Sequence, residues 1–167
     1  MVKVIGVGDC MVDKNLTTGM MYPGGQALNI AVNTKLCGAQ SAFIGAFGDD
    51  YIADHMKKTM DEIGIDYSHS HFYHAPNAFA RYKVIDNDRV FQRSPNGRYN
   101  PLQGAIRRML AYEGFSQEDI AYIKGFDVMH TSLWTLNTPA TVRLLKNISR
   151  SWRAKALKSL MTFPWIT

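Results

Sequence analysis

The residues best suited to chemistry lie between Tyr22 and Gly38, in the run YPGGQALNIAVNTKLCG. Gly24 and Gly25 can take backbone angles closed to other residues, so the chain can turn sharply there and approach a ligand closely. Helix formers follow from Gln26 to Cys37, and Gly38 supplies a stop. The first N–H groups of such a helix lack internal partners and carry the positive end of its dipole. Asn29, about one turn in, offers donors and an acceptor suited to sugar hydroxyls. The segment is apolar almost all round, which predicts a buried helix. A plain Gly–Gly turn ahead of a core helix explains the same residues, and spacing leaves both readings open.

Histidines form the second candidate. His69, His71 and His74 follow one another closely, with His55 earlier, and His-x-His can place two imidazoles on one strand face. No Cys or Glu completes a ligand set, so no metal centre is expected. Cys10 and Cys37 lie far apart with neither metal nor redox spacing, which fits two small core residues in a reducing cytoplasm.

The elements that must position these residues alternate strand and helix. Val2–Val7 reads as a buried parallel strand, but the glycines after it lack the third member of a dinucleotide fingerprint. Ser41–Phe47 reads as a second core strand. A helix capped by Asp49 or Asp50 follows, with Ile52, Met56, Met60 and Ile63 as its inner stripe and Gly64 as its end. Ala78–Ile85 alternates, and the Asp86-Asn87-Asp88 turn returns it through Arg89–Gln92 as a hairpin. Ser94–Pro101 is a loop, and Ser116–Asp119 is a capping box opening a short helix. Asp127–Thr131 is another buried strand, whose carboxyl end at Thr131–Trp134 should open onto a site. Thr138-Pro139 starts a further helix with Val142, Leu145 and Ile148 inward, and Ala156–Phe163 reads as one more strand.

The run from Gly24 to Asp66 resembles the amino-terminal signature of the PfkB, or ribokinase-like, carbohydrate kinases. The match comprises the Gly–Gly helix start, Asn29 a turn later, the G-x-x-G-D-D loop at Gly45–Asp50 and the closing G-I-D. Within that family the segment DNDRVF, Asp86–Phe91, most resembles the fructoselysine and fructosamine 6-kinases. The resemblance implies a three-layer α/β sandwich: a mostly parallel sheet with helices on both faces, plus a small antiparallel β lid near residues 13–22 and 78–92. Leu16–Tyr22 would be a lid strand. The whole chain, 1–167, then reads as the amino-terminal portion of one kinase domain whose carboxyl-terminal half is absent.

The same resemblance supplies site residues. Asp13 matches the acid that hydrogen-bonds sugar hydroxyls, Gly24, Gly25 and Asn29 surround the sugar, and Ala80 and Tyr82 reach it from the lid. Asp9 would serve only at the strand end. ATP and magnesium are the implied cofactors, a sugar or fructosamine the implied substrate, and a second copy docked through the lid an implied partner. The catalytic base and anion hole belong to a G-A-G-D-type motif that these 167 residues do not contain, so no catalytic or nucleotide-binding residue is assigned. Phosphoryl transfer is mainly positioning and electrostatic stabilisation, and a chain without those groups is expected to hold sugar but not phosphorylate it.

Composition excludes other classes. Apolar residues make up 46% and charged residues 20%, which describes a globular chain. No apolar run has membrane-spanning length, and MVKVIGVGD is a strand rather than a signal peptide. The net charge of +5 comes from the end: residues up to Asp127 carry −1, and Arg143, Lys146, Arg150, Arg153, Lys155 and Lys158 have no acidic neighbour. Such a basic end can bind polyanions, but it lacks the aromatic–basic interleaving of a nucleic-acid binder. A truncated or frameshifted end gives the same pattern. The functional expectation is the sugar-binding half of a carbohydrate kinase; the alternative is a non-catalytic sugar-binding or lid-mediated interaction module.

Overall fold

The structure, a computed structural model, describes residues 1–92, 115–132, 135, 142–143 and 146–148. Strand β1 (Lys3–Gly8) leads to the hairpin β2 (Met11–Asn15) and β3 (Met21–Gly24), which runs into helix α1 (Gln26–Leu36). Then come β4 (Gln40–Phe47), α2 (Tyr51–Ile63), the short β5 (His71–Phe72), the hairpin β6 (Phe79–Ile85) and β7 (Asp88–Phe91), α3 (Gln117–Lys124) and β8 (Val128–His130).

The first sheet has the order β5-β4-β1-β8 and every pairing in it is parallel. Its strands are apolar along nearly their whole length because both faces are covered. On one side Phe43 and Phe47 pack with Ala27, Leu28 and Ala31 of α1 and Ile52, Met56 and Met60 of α2. On the other, Ile5, Val7 and Ile44 pack with Ile120 and Ile123 of α3 and with Ile148. Full burial of each such side chain contributes roughly 1.5–3 kcal/mol, so the two clusters, one per face, fix the three layers.

Helices α2 and α3 begin and end where their sequences say. The Asp50 carboxylate accepts from Ala53 N–H at 3.1 Å, and Gly64 closes α2 in the left-handed region at φ 76°. In α3 the Ser116 hydroxyl accepts from Asp119 N–H at 3.0 Å while the Asp119 carboxylate accepts from Ser116 N–H at 2.9 Å, a complete capping box. Helix α1 departs from the sequence reading. It buries only Ala27, Leu28 and Ala31, while Leu36 is 70% exposed and Cys37 is exposed too. Two small alanines let α1 lie close on β1; Leu28 is buried beside them and Val32 packs at the edge of the cluster, so Leu36 is the large apolar residue left outside.

The second sheet has the order β3-β2-β6-β7. Both hairpins are antiparallel as expected, but β2 and β6 join them in parallel, so the sheet is mixed. Residues 16–20 are a turn rather than a strand. There the Asn15 side chain accepts from Thr17 N–H at 2.9 Å and from Thr18 N–H at 3.3 Å. The β6–β7 turn holds Asp86 and Asn87 at φ 50° and 64°, the two-residue hairpin geometry that suits strand twist. Val142 is 41% exposed, against the inward position expected for it, whereas Ile148 is buried. The loop at 94–101, Leu145 and the strand at 156–163 lie outside the described residues.

Candidate functional site

Register in the second sheet brings three of the candidate residues together. Asp13 lies opposite Ala80 in parallel β6 and opposite Tyr22 in antiparallel β3. Tyr82 is two residues beyond Ala80 and shares its face. Gly24 ends β3 beside the acid: a Cβ placed there would meet Asp13 Oδ2 at 3.5 Å, ordinary contact. Gly24 therefore leaves open space against the carboxylate. Ala80 and Tyr82 are buried at 9% and 6% exposure and form a floor, while the Asp13 side chain remains 28% exposed.

Sequence reasoning missed the fourth member of this face, Arg89. It stands opposite Val84 on β7, on the Tyr82 face of the hairpin. Its guanidinium carbon lies 5.4 Å from the centroid of the Tyr82 ring, and Nη1 is 3.8 Å from Asp13 Oδ2. Burial pushes the Asp13 carboxyl above the usual carboxylate range, and the Arg89 charge pulls it part of the way back. The signal was available in the alternation of β7, since a two-residue turn fixes which side Arg89 takes.

Gly25 and Asn29 have other settings. Gly25 sits at φ 107°, and a Cβ there would lie 2.5 Å from the carbonyl oxygen of Asp9. Its glycine is needed for packing of the turn against the β1–β2 link. Two of the N–H groups expected to be free at the α1 start are taken. Asp9 Oδ2 accepts from Gln26 N–H at 2.7 Å, and Oδ1 accepts from Ala27 N–H at 3.2 Å. Asp9, only 7% exposed, is thus the N-terminal cap of α1 reached from another element, not merely a strand-end acid. Asn29 is exposed on the first turn of α1, and its backbone N–H bonds the Gly25 carbonyl at 2.8 Å.

At the carboxyl end of β8, Ser132 is buried and its hydroxyl meets that of Thr135 at 2.9 Å, so this part of Thr131–Trp134 closes on itself. Trp134 lies outside the described residues. His130 Nε2 and Thr131 Oγ1 are buried there without a hydrogen-bond partner among the described residues, and desolvation lowers the His130 pKa despite the nearby Asp9 charge.

The histidines serve elsewhere. His71 Nε2 lies 3.0 Å from Asp119 Oδ2 and His69 Nδ1 lies 3.5 Å from Asp119 Oδ1, so the shared strand-side placement meets a carboxylate. His69 stacks on Tyr122 with ring centroids 3.9 Å apart, and the Tyr122 hydroxyl donates to Asp66 Oδ2 at 2.5 Å. His74 pairs with Asp49, and His55 Nε2 is 3.3 Å from the Met21 carbonyl oxygen. Among the described residues no group of three or more His, Cys, Asp or Glu side chains is arranged to hold a metal ion. Cys10 is buried with its thiol toward the Ala46 carbonyl oxygen at 3.4 Å, and burial pushes it well above the usual thiol range.

A parallel sheet between helical layers, with a mixed second sheet presenting an acid beside a glycine turn, defines the ribokinase-like fold. Solved structures share it. The PfkB protein from Polaromonas sp. JS666 superposes with a TM-score of 0.70 at 15% identity, over 94% of this chain and 54% of that one. The fructokinase of Halothermothrix orenii gives 0.67 at 20% identity, over 90% of this chain and 54% of that one. The family model described as pfkB family carbohydrate kinase matches residues 2–151, and the chain belongs to that family. The fructosamine kinase FrlD of Bacillus subtilis is 34% identical over 136 residues, 80% of this chain and 44% of the relative. The fructoselysine 6-kinase of Escherichia coli is 30% identical over 128 residues, 77% of this chain and 45% of the relative. The chain thus spans just under half the length of these relatives.

Proposed function

We propose that the Asp13 face of the second sheet holds the sugar acceptor of a carbohydrate kinase, with the sheet acting as a lid over it. The observation that carries this reading is a half-buried carboxylate, open to solvent on one side, bounded by Gly24 and floored by Ala80 and Tyr82. A carboxylate can accept two hydroxyl hydrogen bonds of the stronger, charge-assisted kind. Gly24 leaves room for the sugar beside the carboxylate, Gly25 shapes the turn that holds Gly24 there, and Asn29, exposed on the first turn of α1, is the residue we assign to orient it. A fructosamine is the acceptor we favour, supported by the fructosamine and fructoselysine kinases among the relatives. The reading carries a cytoplasmic location, supported by the unpaired Cys10 and Cys37, and self-association of two copies through the lid. Among the described residues no helix is long and apolar enough to cross a membrane.

ATP with magnesium belongs to the same family reading, but the described residues do not fit a nucleotide. Helix N-termini are the usual phosphate cradles. Each of the three described helices has a carboxylate at its start: Asp9 at α1, Asp50 at α2 and Asp119 at α3. Asp9 and Asp50 already accept from N–H groups of their helices, the Ser116 hydroxyl does so at α3, and all three carboxylates would repel phosphate. The chain by itself is therefore expected to bind acceptor without phosphorylating it, and ATP-dependent sugar phosphate above background would overturn that expectation. Calorimetric titration with fructose and 1-amino-1-deoxyfructose tests the site. Asp13→Asn keeps the shape and loses the charge, so affinity should fall by about 1–3 kcal/mol. Equal affinities for the two proteins would remove Asp13 from the site.

A further inference from the structure

We propose that His130 is an acid-operated release for the start of α1: when its ring takes a proton, the Asp9 carboxylate turns from the α1 N–H groups to the new charge, and the turn at Gly24–Gln26 loosens. Strand pairing sets the placement. His130 stands opposite Gly6, and residues paired across a sheet present their side chains to the same face. A Cβ on Gly6 would meet the Ala27 carbonyl oxygen at 2.1 Å and the Ala31 Cβ at 3.4 Å, so that face is the one α1 covers. Met129, one residue earlier, packs with Ile5 and Val7 on the opposite face, as alternation requires. The His130 ring therefore lies at the flank of α1, on the side where Asp9 accepts from Gln26 and Ala27 N–H.

The ring is poised for charge to matter. His130 Nε2 is buried without a hydrogen-bond partner among the described residues. A neutral imidazole tolerates this, but an imidazolium carries a donor on each nitrogen, and a buried charge without a partner is costly. Asp9 is the charge that acts on it. The neighbouring elements offer no substitute among the described residues. Helix α1 has no acidic residue in its first turn, and its basic residue, Lys35, is in the last. Lys3 lies at the far end of β1, opposite Gln40. Burial holds the Cys10 thiol neutral.

Asp9 cannot serve helix and ring together, because each of its oxygens is committed to an α1 N–H. Its displacement is felt at the turn, where Gly25 packs so closely that a Cβ would lie 2.5 Å from the Asp9 carbonyl oxygen. Burial lowers the His130 pKa and the Asp9 charge raises it part of the way back. For a base with a lowered folded pKa, stability is full above the ordinary value near 6.5 and is lost as pH falls through it toward the folded value. A consequence for acceptor affinity, through Gly24 beside Asp13, rests on the acceptor reading; the release itself does not.

The test is amide hydrogen exchange of the 167-residue chain by nuclear magnetic resonance, corrected for the intrinsic effect of pH. It is run at about pH 7.5 and about pH 5, the range in which imidazoles change charge. Protection of the Gln26 and Ala27 amides should fall several-fold at the lower pH, while Phe43 and Ile44 in β4 keep theirs. His130→Gln, neutral at both values, should abolish the difference. A loss that persists in His130→Gln, or that spreads equally to β4, overturns the inference. Ring-proton titration of His130 in the parent chain needs no variant. Its midpoint should lie below the ordinary value, coincide with movement of the Gln26 and Ala27 amide signals, and fall further in Asp9→Asn. A ring that titrates without moving those two amides overturns the inference as well. Failure of sugar to bind at either pH would strike the Asp13 site and leave these readouts to decide the release alone.

Discussion

Asp9 offers the sharpest test of how this fold is held. Its two oxygens accept from Gln26 N–H at 2.7 Å and from Ala27 N–H at 3.2 Å, and it is 7% exposed. Hydrogen bonds to a charged group contribute about 1.5–3 kcal/mol each, and a negative charge at a helix start adds about 0.3–1 kcal/mol. Neighbouring bonds to one carboxylate are not additive, so Asp9→Ala should cost about 3–4 kcal/mol. Asp9→Asn keeps one good acceptor but no charge, and should cost about 1–2 kcal/mol. Neither change touches the main sheet clusters, so the loss would come from the α1 start alone. Urea unfolding followed by far-ultraviolet circular dichroism reads it directly: the midpoint should fall with the slope unchanged. For a chain of this size about 1 kcal/mol corresponds to roughly 2–4 °C in melting temperature. Both variants within about 0.5 kcal/mol of the parent, the range of an ordinary surface change, would refute the capping role.

Other expectations concern the same elements. Gly25→Ala should destabilise by several kcal/mol, since φ 107° and a contact 2.5 Å from the Asp9 carbonyl both oppose a Cβ, whereas Gly24→Ala should unfold almost as the parent does; equal melting of the two would contradict this. Asp13→Asn should stabilise the fold slightly at neutral pH while weakening sugar binding. A carboxyl whose folded pKa is raised has its charged form disfavoured by folding, and that penalty is present above the folded pKa and disappears below the unfolded one; a lower melting temperature for Asp13→Asn would argue otherwise. Burial pushes the Asp119 carboxyl up, but the Ser116 N–H, the His71 imidazole and the Ser116 hydroxyl outweigh it and hold the pKa below the usual range. Its stabilisation is therefore present above the ordinary carboxylate pKa near 4 and lost as pH falls through the depressed folded value, so Asp119→Asn should flatten the acid limb of the stability curve; an unchanged acid limb would count against it. Val84, Ile85, Val90 and Phe91 are 40–48% exposed on the β6–β7 hairpin, so sedimentation should show concentration-dependent association that Phe91→Ser weakens; a monomer at every concentration would exclude it.

Much of the fold was legible because its signals are local. The capping box at Ser116–Asp119, the Asp50 cap and Gly64 end of α2, and the Asp86–Asn87 turn each act within a few residues, so residue type and spacing were enough. The stripe of Ile52, Met56 and Met60 could be read for the same reason. The burial of α1 could not, because an all-apolar helix does not say which side meets the sheet. Packing of Ala27 and Ala31 near β1 settled that and left Leu36 outside. The site divides in the same way. The sequence marked Asp13, Gly24, Ala80 and Tyr82 as candidates, but whether they met depended on the parallel register of β2 with β6, a pairing between segments more than sixty residues apart. The β6–β7 hairpin sets Arg89 over Tyr82 locally, and the β2–β6 register then brings it toward Asp13. Asp9 shows the limit most plainly: Gln26 lies seventeen positions further along the chain, and only closure of the β2–β3 hairpin, which sets Gly24 opposite Met11, brings the open end of α1 back to its carboxylate.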